Sequence, residues 1–249
     1  MKKLLTLLFI ASTLIVQAQH KQTRQLDAHK GISVSTNVHV KYIKSNKNEI
    51  ILDCEKDEHL DLLLTDVKNG ILEIRYKPNS KIKTKKSNKV TIYSSYNLKS
   101  AKASASADLT INDPIQADDF TIVASSSNDI VTNTIQANKI TTQVSSSADI
   151  HSTVHTTTVN INASISADTI ISGSAKHVIA NMSSSADIDL QSLKIENLTI
   201  NGSSSADLIF DTATNLDSNL FSSASVYYKI KPSNITNNKR SSGATLGKK

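Results

Sequence analysis

The chain has no tryptophan, one cysteine, three prolines, six glycines and only 4% aromatic residues in 249 positions. Each scarcity excludes something. A lone Cys54 cannot close an internal disulfide, so no covalent staple holds the fold. Its apolar neighbours Ile50 and Leu52 mark it as a core thiol on a strand. Few glycines and prolines exclude a collagen-like or low-complexity chain. The shortage of aromatics removes the stacking platforms that bind single-stranded nucleic acid. Apolar residues reach only 38%, modest for a globular core. What is plentiful is small and polar: serine, threonine and asparagine, with isoleucine.

Residues 1–18, MKKLLTLLFIASTLIVQA, join Lys2 and Lys3 to an apolar run from Leu4 to Val16 and small residues ending at Ala18. This is the pattern of a secretory signal peptide cleaved after Ala18. The run is shorter than the ~20 residues a membrane span needs, and no later segment is long enough. No cysteine lies at the cleavage point to take a lipid. The expectation is a secreted or periplasmic chain with no transmembrane segment once mature.

The formal charge of +6 is unevenly laid out. Residues 19–100 carry 16 Lys or Arg against nine acids, and residues 101–220 carry four against 13, which is +7 and then −9. A solvated surface accounts for such a layout; a steered partner or stacked self-association is the other reading. An acidic repeat region speaks against a nucleic-acid partner.

The repeat is the strongest signal. SASADL, SSSNDI, SSSADI, SISADT, SSSADI and SSSADL place Asp108, Asp129, Asp149, Asp168, Asp187 and Asp207 at spacings of 21, 20, 19, 19 and 20. Degenerate copies follow at Ser222-Ser223-Ala224-Ser225 and Ser241-Ser242-Gly243-Ala244. A constant period in this range points to a solenoid. Within a copy the side chains alternate with period two, which is strand. One column reads Val178, Ala180, Met182, Ser184, Ala186, Ile188, Leu190, and the next copy reads Leu198, Ile200, Gly202, Ser204, Ala206, Leu208, Phe210. These columns are expected to face inward, with the serine run fitting a bend where the interior narrows. The fold expected is all-β, a single-stranded parallel β-helix with rungs of about 20 residues.

The six aspartates then point outward as a ladder. Like charges one rung apart repel unless local backbone N–H groups cap them or a cation sits between rungs, and capping is the favoured expectation. Calcium-binding nonapeptide repeats need a nine-residue period and paired glycines, neither of which occurs here.

Earlier in the chain, Ile32–Val34, Val38–Tyr42, Ile50–Leu52, Ile71–Ile74 and Val90–Tyr93 read as strands, with a turn at Asn69-Gly70. Ile32, Ile51, Leu72 and Ile92 are spaced by 19, 21 and 20. They suggest longer-looped early turns of the same coil, with a separate cap the alternative. The organisation expected is a signal peptide (1–18), a basic β segment of early rungs or cap (19–100), Ser/Ala/Asp-rich rungs (101–246) and a frayed tail (247–249). The lysine-rich stretch from Pro78 to Lys89 reads as an excursion from the coil.

The order TRQLDAHKGISVSTNVHVKY, VKNGILEIRY and KVTIYSSYNLKSAKASASADLTI, then serine-rich rungs, resembles the auto-transporter adhesin "head GIN" domain family. That family, formerly a domain of unknown function, is common in secreted proteins of Bacteroidetes. The resemblance runs from about Thr23 to Leu246 and implies a right-handed, single-stranded β-helix with an adhesive role. The family usually writes its bend S-G-S-G-D, whereas Ser146, Ala148, Ser184 and Ala186 hold the glycine places here. Positive φ would strain such residues, so the bend is expected to use ordinary β conformations, with Asn128 alone suited to the left-handed option.

Candidate chemistry is thin. His151 and His155 stand four apart, a spacing that joins zinc ligands on a helix but not on a strand, and His177 is alone in its rung. A glycosidase needs two carboxyls in unlike environments, which six equivalent aspartates do not supply. A lyase would want a basic residue, yet residues 101–220 hold no Arg and only Lys102, Lys139, Lys176 and Lys194. No Gly-x-Ser-x-Gly turn marks a nucleophile. No catalytic, cofactor or metal residue is named, and no cofactor is expected. The reading is a non-enzymatic adhesin or envelope module that binds surface glycans or polymers. A self-associating structural protein is the alternative and a polysaccharide-active enzyme a distant third. Homo-oligomerisation stays open.

Overall fold

The structure, a computed structural model, describes residues 20–248. The expected signal peptide and Lys249 lie outside the described residues. Strand accounts for 67% of the described residues and helix for 3%, arranged as a parallel β-solenoid of about seven turns.

The first part holds β1 (His20–Gln25), β2 (Gly31–Ser35), β3 (Val38–Lys44), β4 (Glu49–Cys54), α1 (Asp57–Leu62), β5 (Leu63–Lys68), β6 (Ile71–Tyr76), β7 (Asn88–Ser94), β8 (Ser100–Ser104) and β9 (Asp108–Ile111). The coil continues through β10 (Ile115–Ser125), β11 (Asp129–Ser145), β12 (Asp149–Ser164), β13 (Asp168–Ser183), β14 (Asp187–Leu190) and β15 (Leu193–Gly202). It ends with β16 (Asp207–Phe210), β17 (Ala213–Leu220), β18 (Ser225–Tyr228), β19 (Asn234–Arg240) and β20 (Thr245–Lys248).

From β10 onward each strand lies parallel on the one a turn earlier. Ile130, Ile150, Thr169, Ile188, Leu208 and Val226 form one inward column. Phe120, Ile140, Val159, Val178, Leu198 and Leu216 form another. β-Branched side chains suit this pleated surface, and each fully buried Ile or Leu contributes roughly 1.5–3 kcal/mol. The period of two sets the alternation, and the period of about 20 sets the columns. Gly173 has φ +105°, and a Cβ there would meet the Val154 carbonyl oxygen at 2.1 Å, so only glycine fits that approach of β13 to β12.

The serine corner differs from expectation. Ser146 and Ser147 have φ of 59° and 58°, and Ser184 and Ser185 of 55° and 57°. The same pair of left-handed residues recurs at 36–37, 105–106, 126–127, 165–166, 204–205, 222–223 and 242–243. The Ala186 N–H donates to Ser183 O (3.3 Å) and the Ala206 N–H to Ser203 O (3.3 Å), closing a turn with φ > 0 at both central residues, as in type I′. The bend therefore does not use ordinary β conformations. Ser184 and Ser204, expected in the inward column, are exposed, because two successive left-handed residues swing both side chains outward.

Left-handed backbone costs an L-residue about 1–2 kcal/mol. A backbone ladder between turns offsets it: Ser127 N–H to Ser146 O, Ser166 N–H to Ser184 O and Ser185 N–H to Ser204 O, each at 3.0 Å. The interior restriction holds for alanine alone. Ala148, Ala167, Ala186, Ala206 and Ala224 are fully buried in one column. Asn128 occupies that column too. It is buried rather than left-handed, donates Nδ2–H to Ser125 O, and leaves Oδ1 without a partner.

The first part does not follow chain order. β2 lies between β6 and β8, pairing Ile32 with both Leu72 and Ala101, and β3 lies between β7 and β9. Ile51 belongs to no such column: β4 runs antiparallel to β7 and to β1, and β5 antiparallel to β6 through the turn at Asn69-Gly70. The anchors spaced by about 20 are thus not successive turns. Strands β1, β4 and β5 with α1 close the end of the coil, and Arg24 ties them by donating to Leu60 O (2.6 Å) and Leu63 O (2.7 Å). The lysine-rich stretch joins β6 to β7 and is held where the Glu55 carboxylate accepts the Lys85 and Lys86 N–H groups at 2.7 and 3.3 Å.

Candidate functional site: the aspartate wall

The residue after each buried alanine faces outward because the alternation resumes at that alanine, beyond the turn. Asp129, Asp149, Asp168, Asp187 and Asp207 are therefore in register on neighbouring strands. Asp108 heads the series, its Oδ1 accepting the Asp129 N–H at 3.2 Å. The row continues through His39 and Lys89 at one end and Ser225 at the other. Two residues along, a second outward row reads Val131, His151, Ile170, Asp189, Ile209 and Tyr227.

The carboxylates are not uniform. Asp108 pairs with His39, whose Nδ1 is 2.7 Å from Oδ2. Partial burial, then the charges of Asp168 and Asp129, push the Asp149 carboxyl up from its ordinary value. Burial, then Asp168 and Asp207, does the same for Asp187. Where the row takes backbone N–H groups, at Asp108 and Asp149, they come from the following turn rather than from its own bend.

Two concavities lie along this wall. One of about 510 Å³ spans Asp168, Asp187 and Asp207 and the neighbouring Ile170, Ile209 and Tyr227. The other, about 440 Å³, is bordered by His39, Lys41, Lys89, Asp108, Asp129 and Val131. The first carries only negative charge, and the second carries both signs.

Elsewhere the outer surface carries asparagine ladders that sequence reasoning missed. Asn181 Nδ2 donates to Asn162 Oδ1 (3.0 Å), Asn201 to Asn181 (2.9 Å) and Asn219 to Asn201 (3.2 Å). Asn215 donates to Asn197 (2.8 Å) and Asn234 to Asn215 (2.9 Å). The signal was available in the 18–20-residue spacing of these asparagines, hidden behind the louder serine motif.

The remaining candidates are dispersed. His151 and His155 are both exposed on β12, and His155 Nδ1 lies 2.9 Å from Ser174 Oγ. His177 is exposed on β13. Among the described residues no three metal-ligating side chains come together. Cys54 is buried in β4, and burial, followed by Asp53, pushes its thiol up to about 11, far from a reactive thiolate.

The family described as "Putative auto-transporter adhesin, head GIN domain" matches residues 28–232. The chain belongs to this family. Solved structures agree on the fold of this head GIN chain. A "putative adhesin" from Parabacteroides distasonis superimposes with a TM-score of 0.80 at 21% identity, covering 92% of this chain and 96% of that one. A "putative adhesin" from Parabacteroides merdae gives 0.76 at 17%, covering 92% and 95%. A "putative lipid binding protein" from Parabacteroides distasonis gives 0.73 at 20%, covering 92% and 97%. No curated protein matches the chain.

Proposed function

We propose that this head GIN chain is an exported, non-enzymatic adhesion or envelope module that binds surface glycans or envelope polymers along its aspartate wall. The family supports an adhesin-like role. The observation that carries the finer reading is the in-register row of carboxylates repeated along a rigid coil, with Ile170, Ile209 and Tyr227 in the row beside it. Repetition on a stiff scaffold lets weak contacts add with little ordering cost. Carboxylates accept hydrogen bonds from sugar hydroxyls, and the Tyr227 ring and the isoleucines offer an apolar surface to the C–H face of a pyranose.

A glycan array probed with purified residues 19–249 tests the reading. Retention on at least one glycan class, with no new reducing or unsaturated ends after long incubation, is the expected result. An array with no glycan retained removes it.

A second reading, assembly, turns on the far end of the coil. β19 pairs with β17 and β20 with β18, and their outer edges meet no other strand among the described residues. Exposed Lys239, Arg240 and Lys248 on those edges oppose edge-to-edge pairing. Light scattering distinguishes the cases: a concentration-dependent mass above the chain's 27.0 kDa would favour assembly.

A further inference from the structure

Resting on the glycan-binding reading above, we infer that the concavity over Asp168, Asp187 and Asp207 selects glycans bearing free amino groups over acetylated or anionic ones. Its lining contains four carboxylates, Asp189 included, and no Lys, Arg or His. With carboxylates repeating at the ~4.8 Å interstrand distance, an ammonium seated between two rungs relieves their repulsion and gains charge-assisted hydrogen bonds. An anionic sugar adds to the repulsion, and an N-acetyl group supplies no positive charge.

The apolar row separates a sugar from a bare cation. Ile170 is 40% exposed, an unusual place for a large aliphatic side chain in a row flanked by aspartates. With Ile209 and Tyr227, and with Asp189 set between Ile170 and Ile209, it makes a mixed, largely apolar strip parallel to the carboxylates. A ligand that matches both strips carries ammonium groups on one edge and a flat apolar face on the other, as a pyranose ring of an amino sugar does. The volume of about 510 Å³ lies within the range of small-ligand sites. The concavity at the other end of the wall differs, since Lys41 and Lys89 already balance Asp108 and Asp129.

Isothermal titration with glucosamine oligomers, N-acetylglucosamine oligomers of equal length, galacturonate oligomers and oligolysine tests the inference. The glucosamine oligomer is expected to bind at least tenfold tighter than the acetylated one, with galacturonate weaker still and binding falling as salt rises. The double variant Asp187→Asn, Asp207→Asn should lose about tenfold, while Asp66→Asn, exposed on β5 and outside the wall, changes affinity less than twofold. Equal affinity for the acetylated oligomer overturns the inference, as does glucosamine binding unchanged in the double variant. Oligolysine binding as tightly as glucosamine oligomer also overturns it, because charge alone would then account for the site. Retention of other glycans on the array without the glucosamine preference sinks this inference and leaves glycan binding standing. An array that retains nothing removes both.

Discussion

From β10 to residue 248 every strand rests on the one a turn before it, Ile150 on Ile130 and Ile188 on Thr169. Before β10 the neighbours in space are remote in the chain. Ile32 touches strands carrying Leu72 and Ala101, and Tyr42 is paired with Ile92. Both regions bury the same residue types in the same kind of strand. The difference is that a coil can be extended turn by turn, whereas closing its end requires antiparallel strands that leave the column. A repeat unit needs only its neighbours, so its stability is local. The closed end needs all its strands at once.

The comparison predicts unequal responses to core truncation. Ile32→Ala, at the junction of three strands, should cost about 3–4 kcal/mol and lower the amide protection of β2, β6 and β8 together. Leu246→Ala, in the half-buried last turn, should cost less than about 1 kcal/mol and expose only β19 and β20. Hydrogen exchange on both variants checks this, and equal, uniform losses would abolish the distinction between the regions.

Buried polar groups sharpen the contrast. In the closed end Asn88 is satisfied: its Oδ1 accepts the Glu55 N–H at 2.8 Å, and its Nδ2 reaches Tyr76 Oη and His59 Nδ1. In the rungs Asn128 leaves Oδ1 unpartnered in the alanine column. Asn88→Ala should therefore destabilise by about 2 kcal/mol, because it orphans buried partners, and Asn128→Ala should stabilise by about 1 kcal/mol. Urea midpoints with unchanged slope measure both.

What could be read from the residues follows the same division. The period of Asp129, Asp149, Asp168 and Asp187 gives the rungs and the outward wall, because in a coil a sequence period is a spatial column. Degenerate copies at 222–225 and 241–244 were legible for the same reason, and their corners are left-handed as in the others. Ile51 misled because spacing along the chain carries no information about a strand that turns antiparallel. Ser184 misled because period-two counting assumes an unbroken strand, and two left-handed residues interrupt it without changing the parity of Ala186. The first corner, Thr36-Asn37, escaped notice because Ser35-Thr36-Asn37-Val38 shares geometry but not residues with the later copies. The apolar residues beside the aspartates escaped because Ile170, Ile209 and Tyr227 do not form a repeating motif.

The corners allow a finer test. Ile165 is β-branched, 55% exposed and held at φ 57°, where neighbouring turns place serine. Its side chain contributes little burial and disfavours that backbone. Ile165→Gly should stabilise by about 1 kcal/mol, while Ser146→Gly, starting from a less hindered residue, should change stability by less than half as much. Thermal melts of the two variants decide whether strain is concentrated at Ile165 or shared by all corners.

The smallest effect separates the two ends of the wall. In the folded chain the Asp187 carboxyl is raised by burial and by Asp168 and Asp207, so folding favours its protonated form. Its contribution to stability is fully present below the ordinary carboxylate pKa of about 4 and is lost as pH rises through the raised value. At neutral pH the wild type therefore carries a repulsion that asparagine lacks. Asp187→Asn should raise stability by a few tenths of a kcal/mol at pH 7, with the gain shrinking in high salt and vanishing below about pH 4. Asp108→Asn should show no such gain, since His39 Nδ1 lies 2.7 Å from its carboxylate and the exchange gives up that contact. Thermal unfolding of both variants between pH 3 and pH 8 gives the answer. If Asp108→Asn gained as much as Asp187→Asn at pH 7, the wall would be electrostatically uniform and its two ends would no longer differ in kind.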